Sequence, residues 1–186
     1  MKQAFMAEPA SHPDKSFHHA SAVVIGEAGI LIFGPSGAGK SQLALALIAA
    51  TRSAGLFGSL IGDDRISLAR KGGRVIARGH PLILGKIEKR GVGILDIPFL
   101  STAVVRFAVQ LGKFEHNPLP RLPDELQTLL VEGVALPLIQ LRQDAAETNL
   151  VARILTDPRL RSQLEPIDHN DFGSSRPKIM KRDRFS

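Results

Sequence analysis

The 186-residue chain contains no cysteine, no tryptophan and no tyrosine. Without cysteine there is no disulfide, no thiolate nucleophile, no cysteine-held zinc and no iron–sulfur cluster, so the sequence suits a reducing compartment, most simply the cytoplasm. Aromatic residues make up 5% of the chain, and all nine are Phe, which leaves little material for stacking the bases of single-stranded nucleic acid. The core must therefore come from Leu, Ile, Val and Ala. No run approaches the ~18 consecutive apolar residues of a membrane-spanning helix, so no membrane insertion is expected. Residues 1–16, which include Pro9 and Pro13, hold no apolar stretch of the length a secretory signal needs and read as a flexible leader.

What is present fits one soluble globular domain. Hydrophobic residues are 44% and charged residues 23% of the chain, and its length falls within the ~100–200 residues typical of a domain. The formal net charge of +6 admits an anionic partner. Much of the excess sits at Arg176, Lys178, Lys181, Arg182 and Arg184, opposed only by Asp183. Residues 158–186 thus read as a basic, flexible tail behind a folded unit at 17–157. A disordered, solubilising end is a stronger reading of that tail than a salt-sensitive contact with nucleic acid.

Short β-branched runs at Ala22 to Ile25 and Ile30 to Phe33, separated by a glycine-bounded turn, predict strand, turn, strand. Ser41 to Thr51 predicts a helix that is apolar nearly all round and hence buried. Leu60-Ile61 ends a third strand at Asp63-Asp64, and Ile66 to Ala77 reads as a hairpin closed on Gly72-Gly73. Further strands are predicted at Ile94 to Ile97, Val104 to Val109 and Val134 to Leu141. Short helices are predicted near Asp124–Val131 and over Ala145–Leu155, with a loop marked by Pro118, Pro120 and Pro123 before the first of them. Strands outnumber helices, which suggests an α/β mixed sheet flanked by helices, with antiparallel excursions, rather than a βαβ repeat.

Gly34-Pro35-Ser36-Gly37-Ala38-Gly39-Lys40-Ser41 matches the P-loop pattern at every fixed position, and it lies between a predicted strand and a predicted helix as that motif requires. The glycines let successive backbone N–H groups converge on phosphate oxygens. The helix beginning near Lys40 adds its positive end. Lys40 is placed to reach the β- and γ-phosphates of a nucleoside triphosphate, and the Ser41 hydroxyl to bind Mg²⁺. Such sites need a carboxylate from the end of a neighbouring strand, and Asp63-Asp64 is the candidate pair. Two adjacent acids point in different directions, so one can face the metal and the other an incoming hydroxyl.

His19, the P-loop, Asp63-Asp64 and the run Glu88-Lys89-Arg90-Gly91-Val92-Gly93 together resemble the catalytic domain of the HPr kinase/phosphorylase family. The resemblance spans about residues 18–152, and the Glu-x-Arg-Gly-x-Gly segment is more specific than the P-loop alone. It implies a phosphoenolpyruvate carboxykinase-like fold and ATP- and Mg²⁺-dependent phosphorylation of a serine on HPr, a small carrier protein of the sugar phosphotransferase system. By the same resemblance Asp63 is the general base, His19 (or its neighbour His18) supports it, Asp64 and Glu88 serve the metal with Ser41, and Arg90 serves the phosphates or the carrier. A homo-oligomer is also implied.

Phosphoryl transfer asks the protein chiefly to position and neutralise the γ-phosphate, which suits these residue types. His12, His80, His116 and His169 show no metal-ligand spacing and receive no role. The chain looks like the short form without an N-terminal domain. Where the family has Gly-Arg-Asn, this chain has Glu147-Thr148-Asn149; the missing arginine weighs against reverse phosphorolysis. The alternatives are a small-molecule P-loop kinase and a non-catalytic nucleotide-dependent regulatory module. The first lacks an arginine-rich lid after Leu111, and the Asp63/Asp64 pair argues against the second.

Overall fold

The computed structural model describes residues 17–112 and 127–142. The leader, the Pro118 to Pro123 loop, the helix expected over Ala145–Leu155, Thr148 and the basic tail lie outside those residues. Within them the chain runs β1 (Phe17–His18), β2 (Ala20–Ile25), β3 (Ala28–Phe33), α1 (Lys40–Ser53), β4 (Gly58–Gly62), β5 (Ile66–Lys71), β6 (Arg74–Gly79), a 3-10 turn at Pro81–Ile83, β7 (Lys86–Lys89), β8 (Gly93–Asp96), β9 (Thr102–Gly112), β10 (Gln127–Val131) and β11 (Val134–Arg142). No described helix is long and apolar enough to cross a membrane.

Nine strands form one mixed sheet, seven of them in the order β1-β5-β6-β9-β3-β2-β4 with β11 joined to β9 and β10 to β11, while β7 and β8 form a separate hairpin. The organising strand is β9. Its first residues pair antiparallel with β6, and its later ones lie parallel to both β3 and β11. The expected hairpins at β2–β3 and β5–β6 are present in continuous register. The outer edge of β4 is covered by the segment after β8, since Leu60 exchanges backbone hydrogen bonds with Pro98 and Leu100, which removes an unpaired edge.

Every residue of β2 is buried, because its alternate side chains enter two different cores. Val23 and Ile25 join Ile30, Ile32, Phe107 and the buried face of α1. Ala22 and Val24 join Leu31, Ile61, Ile66 and Val105 on the opposite side of the curled sheet. A strand covered on both faces reads as a continuous apolar run. Among the described residues, the large side chains buried completely are, apart from Phe107, Ile and Leu, in keeping with the aromatic-poor composition.

Two expectations need correction. The short helix predicted near Asp124–Val131 is, over its described part, strand β10, which pairs antiparallel with β11. Leu129 and Val131 pack on the second core, and Glu132 and Gly133 adopt the positive φ angles, 48° and 71°, of a two-residue hairpin turn. The tertiary packing of alternate residues overrides a weak helical preference. The second correction concerns α1. It buries one face, Leu43, Ala44, Leu47, Ile48 and Thr51, while Leu45, Ala46 and Ala49 line an open cleft.

The curl of the sheet depends on glycine at 79. There β6 passes so close to β4 that a Cβ would fall inside contact distance of the Ile61 carbonyl oxygen and 2.8 Å from Leu84 Cδ2. Gly79→Ala is expected to lower stability by about 1–3 kcal/mol, the usual cost of overpacking a filled interior, measured as a fall in the urea midpoint with unchanged slope.

Candidate active site

The P-loop folds as its sequence predicts. Gly37 and Gly39 hold φ angles of 75° and 90°, which side chains with a Cβ rarely adopt. Gly39 is the N-cap of α1, and neither a side-chain cap nor an acidic residue occupies the first helical turn. The helix therefore keeps its N–H groups and positive end for an anion. Lys40 is 5% exposed, and its Nζ lies 3.0 Å from His19 Nε2 and donates to the carbonyls of Gly34 and Pro35 at 3.1 Å each. Burial pushes the Lys40 ammonium below the usual lysine range, opposed by the attraction of Asp64 and Asp63.

The two adjacent aspartates do diverge. Asp63 is 4% exposed, and both of its carboxylate oxygens accept hydroxyl hydrogen bonds: Oδ1 from Ser21 and Oδ2 from Ser41 at 2.8 Å. Asp64 lies at φ 61°, in the left-handed region that Asp tolerates better than most residues. Its Oδ1 stands 3.4 Å from His19 Nδ1, and both side chains are about half exposed. Asp64 and His19 line the cleft. The tight turn is closed by the Arg65 amide donating to the Asp63 carbonyl, and the Arg65 guanidinium lies over the Phe17 ring. His19, rather than the exposed His18, meets the site. His80 caps the 3-10 turn by accepting from the Leu82 amide, a structural use that fits its lack of an assigned role.

A bulge aims these acids. Between β2 and β4, Ala22 pairs with Gly62 but Val23 pairs with Leu60, so Ile61 is extra. Such an insertion bends the strand end, and here it carries Asp63 to Ser41 at the start of α1.

The β7–β8 hairpin forms the opposite wall. Ile87 is buried in the first core, which sends Glu88 toward the other face, and Glu88, Lys89 and Arg90 all line the cleft. The Arg90 guanidinium lies over the P-loop, with Nη2 3.0 Å from where a Cβ on Gly37 would stand. The cleft measures about 710 Å³, within the usual range for small-ligand sites. Of the sequence-predicted site residues, His19, Ser36, Gly37, Gly39, Lys40, Ser41, Asp64, Glu88 and Arg90 line this cleft; Gly34, Pro35 and Ala38 belong to the loop without lining it, and Asp63 reaches it through Ser41.

Among the described residues no group of three or more His, Asp or Glu side chains forms a metal cage. The Ser41 hydroxyl, the Asp63 carboxylate beside it and Glu88 across the cleft are hard oxygen donors, a set that suits Mg²⁺ because it takes few protein ligands and completes its shell with phosphate and water. Sequence reading missed Ser21. The available signal was a hydroxyl residue inside an otherwise apolar strand.

The fold and this loop define a P-loop domain of mixed α/β class, with phosphate-binding groups gathered at a strand-to-helix turn. The chain belongs to the HPr serine kinase C-terminal domain family, whose model matches residues 12–163. It is 34% identical to the HPr kinase/phosphorylase of Cupriavidus necator over 95% of this chain and 55% of that protein. It is also 34% identical to the one from Mycoplasma mycoides over 70% of this chain and 43% of that protein. The chain spans about half the length of these curated relatives. The solved structure of the HPr(Ser) kinase/phosphatase from Coxiella burnetii superimposes with a TM-score of 0.66 at 28% identity, covering 80% of this chain and 99% of that one.

Lys40→Met keeps the buried stem and removes the ammonium. It is expected to weaken binding of a nucleoside triphosphate about 10- to 100-fold, the scale of one or two lost charge-assisted hydrogen bonds, as read by titration calorimetry.

Proposed function

We propose that this domain transfers the γ-phosphoryl group of ATP, with Mg²⁺, to a serine hydroxyl on an HPr-like carrier protein. One observation carries the reading: the Lys40 ammonium, the Ser41 hydroxyl backed by Asp63, and the His19–Asp64 pair gather at one cleft. When bound, Mg²⁺ supplies neutralisation of the charge on the β- and γ-phosphate oxygens. Ser41 and Asp63 would hold it from the P-loop side, with Glu88 across the cleft.

The two aspartates divide their work in the reverse of the order that the resemblance suggested. Asp63 is buried against the P-loop serine, which favours the metal side for it. Asp64 faces the cleft beside His19, which favours it as the base. The serine oxygen attacks the γ-phosphorus, the bond to the ADP oxygen breaks, and the serine proton passes to Asp64. His19 Nδ1 orients the Asp64 carboxylate while its Nε2 faces Lys40. Arg90, above Gly37, stabilises charge on the transferred group.

A macromolecular acceptor fits the rim better than a small one. Val92 and Ile94 on the β7–β8 hairpin are 64% and 69% exposed, and Ile94 pairs with Glu88 in the ladder. Exposed apolar side chains beside an open site suit a protein surface. A folded unit of 17–157, a cytoplasmic location and a homo-oligomer belong to the same proposal.

Incubating the protein with labelled ATP, Mg²⁺ and an HPr-like carrier is expected to yield labelled phosphoserine. Asp64→Asn is expected to lose at least about 100-fold in turnover, the lower end of general-base effects, while still binding Mg·ATP. Asp63→Asn is expected to lose the Mg²⁺-dependent part of nucleotide binding. Wild-type turnover in Asp64→Asn removes it as the base, and carriers left unlabelled by the wild type sink the substrate assignment.

A further inference from the structure

We propose that Ser21 is a positioning residue for the metal-side carboxylate: its buried hydroxyl holds Asp63 Oδ1 so that Oδ2 stays aimed at Ser41. The inference rests on the reading of the P-loop as an Mg·ATP site and adds to it a residue with no contact to nucleotide, metal or acceptor. Ser21 has zero exposure. It lies in β2, where its neighbours Ala20, Ala22, Val23 and Val24 are all buried apolar residues, and it pairs with Ile32 of β3. A hydroxyl placed there must satisfy itself internally, because burying one without a partner is costly.

Its partner is Asp63 Oδ1, across the bulged end of the β2–β4 ladder. The other oxygen of the same carboxylate accepts from Ser41. The two hydroxyls differ in what they can reach. Ser41 lines the cleft and can turn a lone pair toward a cation. Ser21 cannot reach the cleft, so whatever it does for the reaction passes through the orientation of Asp63. A carboxylate fixed at both oxygens has one side-chain rotation available for binding, and positions of this kind lose little freedom when the ligand arrives. With Oδ1 released, the carboxylate can turn away from Ser41 to seek another donor, and the second oxygen leaves the metal side.

The test compares Ser21→Ala and Ser21→Thr with the wild type, measuring ATP affinity by calorimetry with Mg²⁺ and with EDTA, alongside urea unfolding. The wild type is expected to bind ATP more tightly with Mg²⁺. In Ser21→Ala that Mg²⁺-dependent factor is expected to shrink roughly tenfold, the scale of one hydrogen bond to a charged group, while affinity in EDTA stays at the wild-type value. Ser21→Thr, which keeps the hydroxyl, is expected to restore the factor. An unchanged factor in Ser21→Ala overturns the proposal, as does equal loss in Ser21→Thr, or a loss that is the same in EDTA and Mg²⁺ and so reflects folding. Failure of the wild-type protein to bind ATP at all would instead overturn the proposed function.

Discussion

The site depends on one buried charge, the carboxylate of Asp63, and on the two hydroxyls that keep it where it is. A carboxylate this far from water is tolerated when its oxygens are hydrogen-bonded, and here the donors come from separate elements, β2 and the first turn of α1. The same pair of hydrogen bonds therefore does two things. It makes the burial affordable, and it ties the end of β4 to the P-loop, so that the distance between that loop and the acid pair is set by the sheet rather than by a flexible connection.

The sheet in turn is shaped for that contact. The long strand β9 pairs with β3 along one edge and divides its other edge between β6 and β11, which lets β6 swing toward β4. Gly79 and Gly62 permit the backbones to meet there. The bulge at Ile61 then redirects β4 after the two cores have claimed its side chains, Leu60 on one side and Ile61 on the other. Packing thus decides where the strand ends, and the left-handed turn at Asp64 decides which acid faces the cleft.

Those consequences divide what was legible in the sequence from what was not. The P-loop, its flanking strand and helix, and the two hairpins at β2–β3 and β5–β6 are local features, each written in contiguous residues with a known backbone demand. Membership of the family was equally legible, because Glu88, Arg90, Gly91 and Gly93 stand in one short segment. The strand at β10 was not, since its pattern is decided by pairing with β11. The order of the aspartates was not legible either. Nothing in Asp63-Asp64 tells which side chain meets Ser41 until the bulge and the pairing of β2 with β4 are known. Ser21 belongs to the same class, a residue whose meaning is its partner 42 positions away.

Lys40 carries the last step, because its donors are already committed. The ammonium faces two P-loop carbonyls and the Nε2 of His19. Under the proposed function, a phosphate oxygen entering the loop brings a full negative charge to the ammonium where the carbonyls offer only a dipole, so the exchange is favourable. Of the three, the side-chain acceptor is the one that can yield without deforming the loop. Releasing His19 Nε2 from Lys40 leaves the imidazole held only on its Nδ1 side, toward Asp64. On the proposed reading, one imidazole would link the arrival of the nucleotide at Lys40 to the surroundings of Asp64, because its two ring nitrogens face those two groups.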